Sequence, residues 1–167
     1  MAARSSGISR FLVVLAVAST ALPLTPEIAS ASPSAPVKAP DTIEVTATSS
    51  APPGSAAAAA VINCTVQIND PHKSTHLPTN VNVVGTVKCS ASMASISMTV
   101  SLFNNGRLIG INTKANVGKS SISVNAAANC IPSTYQGKGT ATLVFPPGYF
   151  PSPQVINVTG NSVPVSC

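Results

Sequence analysis

Four cysteines, Cys64, Cys89, Cys130 and Cys167, constrain this chain more than any other feature, because each lies in a stretch where apolar residues recur at every second position. Ile62, Cys64, Val66 and Ile68 alternate with Asn63, Thr65 and Gln67. Val81, Val83, Val87 and Cys89 share one parity with Gly85. Ile122, Val124, Ala126, Ala128 and Cys130 share another, and Val163, Val165 and Cys167 close the sequence in the same way. A period of two places one set of side chains on one face of a β-strand. All four sulfurs are therefore expected on core faces. No C-x-x-C occurs, and an even cysteine count in a small exported domain reads as disulfides rather than metal ligands or a redox pair. Pairing of sequence neighbours, Cys64–Cys89 and Cys130–Cys167, is favoured among the possible connectivities. Each bridge would contribute ~3–4 kcal/mol by loop entropy.

Further strands fill the interval. Ile96, Met98, Val100 and Leu102 alternate with serine and threonine, and Asn105-Gly106 follows as a two-residue hairpin loop. With that loop Leu102 would face Ile109, and Val100 would face Ile111. Tyr135, Gly137, Gly139, Ala141, Leu143 and Phe145 form a one-faced run stopped by Pro146-Pro147-Gly148. About seven strands separated by turn signals, with no helical period, predict an all-β, immunoglobulin-like antiparallel sandwich; a small β-barrel is the alternative.

The N-terminus has the parts of a secretory signal: Arg4 and Arg10, an apolar run from Phe11 to Leu24 broken by Ser19, Thr20 and Pro23, and the small residues Ala29-Ser30-Ala31. Cleavage is expected after Ala31, making 1–31 a signal peptide and leaving no membrane span. Residues 32–59, rich in Ala, Pro and Ser, read as a disordered linker, and 60–167 as the disulfide-stapled domain. Thr42 to Thr46 has strand composition but no evident partner in the sequence. The expected location is secreted or extracellular, including association with the cell envelope.

Charge narrows the function classes. From residue 60 onward Asp70 is the sole carboxylate, against Lys73, Lys88, Arg107, Lys114, Lys119 and Lys138. These cations are scattered singly without interleaved aromatics, which argues against nucleic acid. One carboxylate cannot supply a glycosidase pair, no G-x-S-x-G elbow occurs, and bonded cysteines are not nucleophiles. The chain therefore reads as non-enzymatic, with no catalytic residue and no cofactor. Two segments remain. Asp70, His72 and His76 could ligate a divalent metal, or form a polar interstrand loop shaped by Pro71 and Pro78. Tyr149 and Phe150, in a proline-rich loop that holds three of the domain's five aromatics, could form a recognition surface or fold back onto the sandwich.

The order of Asn69-Asp70-Pro71-His72, Val81-Asn82-Val83-Val84, Leu102-Phe103-Asn104-Asn105-Gly106, Tyr135-Gln136-Gly137 and Phe145-Pro146-Pro147-Gly148-Tyr149 resembles that of small secreted two-disulfide proteins of high-GC Gram-positive bacteria. The resemblance runs from about residue 61 to Cys167. It implies a secreted two-disulfide domain and carries over no functional residue. The expected role is a binding or structural module whose partner is an extracellular protein or envelope polymer. A secreted protease inhibitor is the alternative, and a metal-binding protein a further one.

Overall fold

The computed structural model describes residues 41–50 and 59–167. The signal peptide with its cleavage site, and residues 32–40 and 51–58 of the expected linker, lie outside the described residues. Among the described residues ten strands follow one another: β1 Thr42–Ser49, β2 Val61–Ile68, β3 His72–Lys73, β4 Asn80–Cys89, β5 Ser95–Asn104, β6 Arg107–Val117, β7 Ser121–Asn129, β8 Ser133–Val144, β9 Tyr149–Phe150 and β10 Gln154–Val165.

The strands make two antiparallel sheets with no closed barrel, so the sandwich expectation holds. In the first sheet, β4 bonds β7 along one edge, and β2 followed by β3 along the other. Beyond β2 lies β1, and β9 adds to one end of the outer edge of β1. The second sheet runs β10-β8-β5-β6.

The strand at β1 corrects the expected domain boundary. Residues 42–49 belong to the sandwich, paired with β2 from Thr42↔Gln67 to Thr48↔Val61. Val45 and Ala47 are buried, and Ile43 packs against the same core. Only three apolar side chains mark this strand, so its inward face is short. Its partner lies across residues 50–60, and sequence spacing alone did not place the two side by side.

Inward residues of the two sheets interlock. Ile68, Val66, Val81, Val83 and Val87 from the first sheet meet Ile96, Met98, Val100, Leu102 and Leu143 from the second, all fully buried. Such side chains each contribute ~1.5–3 kcal/mol on leaving water. Two glycines permit this approach. A Cβ on Gly85 would strike the side chains of Met98 and Val100, and one on Gly137 would lie 2.5 Å from Val83 Cγ2.

Tyr135, at the start of β8, is fully buried. Its hydroxyl donates to the carbonyl of Ile131 at 2.7 Å and accepts from the Ile131 N–H at 3.0 Å. The phenol thus satisfies both main-chain groups of one residue at the corner entering β8.

Three local expectations need correction. Asn105 (φ 46°) and Gly106 (φ 81°) form the predicted left-handed loop, and Asn104 faces Arg107. A bulge between Leu102 and Phe103 then shifts the register, so Leu102 faces Gly110 and Val100 faces Asn112. The outcome leaves Ile111 beside Ser101 on the outer face, 61% exposed. Second, β10 begins at Gln154, well before the alternation around Val163. A register shift between Thr159 and Ser162 moves the buried parity from Ile156 and Val158 to Val165. Third, the sulfur-bearing residues are not all in the core. Cys64 is buried, Cys89 and Cys130 are half-buried, and Cys167 is exposed. Cys130 and Cys167 follow the last residues of β7 and β10, where strand parity no longer dictates direction. The pairing itself is as expected. Cys64–Cys89 joins directly opposed residues of β2 and β4, and Cys130–Cys167 ties the end of one sheet to the end of the other.

Candidate interaction surface

The proline–aromatic loop is held from several directions. Pro147 and Gly148 occupy the centre of a turn closed by Tyr149 N–H donating to Pro146 O at 3.2 Å, with Gly148 at φ 88°. Proline followed by a positive-φ glycine is the pattern of a type II turn. Ser50 N–H donates to Gly148 O, the Phe145 N–H donates to Ser152 Oγ at 3.0 Å, and Gln154 Nε2 donates to Pro151 O at 3.1 Å.

This clamping places Tyr149 and Phe150 on an edge strand, opposite Ser49 and Thr48 respectively. Adjacent strand residues point to opposite faces, so the two aromatics separate. Tyr149 is half-buried and packs against the core. It is therefore in part a scaffold contact, the fold-back alternative, and presents less of its ring to solvent than Phe150 does. Phe150 points outward and is 62% exposed.

Thr48 faces Phe150 on one side and Val61 on the other. Directly paired residues share a face, so Phe150, Thr48 and Val61 form one rung across three strands on the outside of the first sheet. Val61 is 49% exposed. In the next rung Thr46 Oγ1 donates to Asn63 Oδ1 at 3.0 Å. The result is an anchored apolar pair with hydroxyl and amide groups beside it. Sequence reading missed Thr48 and Val61 because their proximity to Phe150 depends on β1, which joins the two.

The histidine segment forms no such cluster. His72 lies in β3 opposite Asn82, exposed, with Nδ1 3.0 Å from the Asp70 carbonyl oxygen. The Asp70 carboxylate instead accepts from Asn161 Nδ2 at 3.1 Å. His76 lies exposed in the following loop. Among the described residues no three His, Cys, Asp or Glu side chains gather closely enough to hold an ion. Asp70, His72 and His76 are thus not brought together, because β3 extends the chain where a shared site would need it to curl.

Elsewhere on the surface, Leu108, Ile111, Val117 and Val155 are exposed on the second sheet, and Leu77 and Ile131 in loops. Lys138 Nζ lies 4.9 Å from the centre of the Phe103 ring. No protein-family model matches the chain, and no curated protein matches it.

Proposed function

We propose that this chain is an exported, non-enzymatic module of the extracellular space or cell envelope, which binds a protein or envelope polymer through the Phe150–Val61 face. The observation that carries the reading is the exposure of Phe150 on a loop fixed by a turn, an edge-strand pairing and two side-chain bonds to the main chain. A large aromatic held outward in one position offers contact area with little ordering entropy to lose. Two disulfides fit an oxidising compartment, which supports export through the N-terminal signal.

The Tyr135 corner supports an immunoglobulin-like classification of the sandwich. The connectivity departs from that order: β2 bonds its next long neighbour β4 and β4 bonds β7, while β5 and β6 join β8 and β10 in a four-stranded sheet, whereas the immunoglobulin sheet joins the second strand to the fifth and sets the third in the opposite, three-stranded sheet.

The test is co-sedimentation of the exported protein with envelope fractions, and retention of secreted proteins on the immobilised domain. Phe150→Ala and Val61→Thr should each weaken retention while leaving the thermal melt unchanged. Indifference of the unaltered protein to every fraction would contradict the reading.

A further inference from the structure

The outer face of the second sheet carries a hydroxyl grid beside one lysine, Lys138. Registers align Asn157, Thr140, Thr99 and Thr113 in one rung across all four strands, and place Lys138 beside Ser101 in the next. Thr140 Oγ1 donates to Asn157 Oδ1 at 2.8 Å, and the Thr99 and Thr113 hydroxyls lie 2.8 Å apart. These bonds fix the hydroxyls yet leave each oxygen with acceptor capacity, and Asn157 with its N–H donors. Asn157, Thr140, Thr113 and Lys138 are exposed.

The strands of the second sheet hold no carboxylate: β5, β6, β8 and β10 contain Arg107, Lys114 and Lys138, of which Lys138 shares the grid face while Lys114 stands opposite core-facing Met98. The first sheet holds both signs, with Lys73 in β3 and Lys88 in β4. Among the described residues the acids are Asp41, Glu44 and Asp70, all on or beside the first sheet. The Phe103 ring under Lys138 holds the ammonium on the grid.

We propose that this face binds a polyhydroxylated polyanion, an acidic polysaccharide laid across the strands. Sugar hydroxyls would meet the threonine and asparagine rung, and its carboxylates or phosphates would meet Lys138. Strands repeat every ~4.8 Å, comparable with one pyranose unit, so successive sugars meet successive strands. The inference rests on the envelope-polymer form of the proposed function, but uses the opposite sheet.

Three polymers separate the contributions: polygalacturonate (hydroxyls and charge), poly-L-glutamate (charge alone) and dextran (hydroxyls alone). The exported protein should bind polygalacturonate most tightly, with affinity falling as salt rises. Thr99→Val with Thr140→Val, which keeps both β-branches, should weaken it about tenfold, as should Lys138→Gln. Thr65→Val with Thr86→Val on the first sheet should not, and neither should Phe150→Ala. Melts of each variant confirm folding. Equal binding of poly-L-glutamate would assign the face to an acidic polypeptide and overturn the inference. Equal binding of dextran, insensitivity to the grid variants, or no binding would also overturn it. Envelope retention weakened in Phe150→Ala but kept in the Thr99/Thr140 variant would overturn this inference alone and leave the proposed function standing.

Discussion

Asn112 Nδ2 on β6 donates a 2.8 Å hydrogen bond to the main-chain oxygen of Asn125 on β7, joining the edges of two different sheets. Four residues further along each strand, Asn116 Nδ2 repeats the contact with Ser121 O at 3.2 Å. The opposite seam is bridged by Gln154 Nε2 to Thr46 O at 3.3 Å and by Asn161 Nδ2 to Asp70 Oδ1. Side-chain amides thus cover strand edges that backbone pairing leaves exposed. Bare edges are templates for association with other chains.

Asn112→Ala with Asn116→Ala should therefore lower stability by about 1 kcal/mol per lost bond, and should raise concentration-dependent association. Thermal melts and light scattering at increasing protein concentration check both effects. An unchanged melt with no association would show that the seam needs no cover.

Tyr135→Phe removes one oxygen and strands the N–H and carbonyl of Ile131 together. The loss should be about 0.5–1.5 kcal/mol, the net worth of such hydrogen bonds, because Ile131 is itself exposed. Urea titration should show a lower midpoint with an unchanged slope, since the packed ring remains in place.

Gly137→Val directs a branched side chain into Val83 and Ile68. Overpacking of this kind costs about 1–3 kcal/mol or more, so the variant should be markedly destabilised or fail to accumulate folded. Gly106, with open space around its Cβ position but a φ of 81°, gives a contrast: Gly106→Asn should be tolerated, because asparagine enters the left-handed region readily. Measuring both separates steric from conformational demand.

The disulfides should differ in access rather than in entropy. Their sequence separations of 25 and 37 give nearly the same loop term, ~3.5–4 kcal/mol. Cys64 is only 1% exposed, whereas Cys167 lies open at the end of the chain. Under mild reductant Cys130–Cys167 should open first. Timed alkylation with mass detection reads the order, and simultaneous opening would contradict it.

Period-two alternation made most of the sandwich legible, because a half-buried strand writes its two faces directly into the sequence. That is why the elements around Ile62–Ile68, Val81–Val87 and Ile96–Leu102 stand where the pattern put them. The pattern loses its hold where one residue is inserted. The bulges after Leu102 and Thr159 invert the parity, which exposed Ile111 and concealed the first half of β10. It also carries no information beyond a strand's last residue, as Cys167 shows. Proline and glycine located the Phe145–Pro153 loop, but the direction of each aromatic depended on β9 pairing with β1. The short apolar face of Ile43, Val45 and Ala47, set among Ala, Pro and Ser, gave that partner little sequence signal. The histidine segment failed for a related reason: nearness in sequence is not nearness in space when the backbone is extended.

The sulfur pairing tests the architecture most directly, because Cys64 and Cys89 can meet only if β2 and β4 are neighbours in the stated register. Trypsin cutting at Lys38, Lys73, Lys88, Arg107, Lys119 and Lys138 leaves every cysteine on a separate peptide. Mass analysis of the unreduced digest should find 39–73 linked to 89–107, and 120–138 linked to 139–167. Any crossed linkage, or any free thiol in the purified protein, would contradict the fold described.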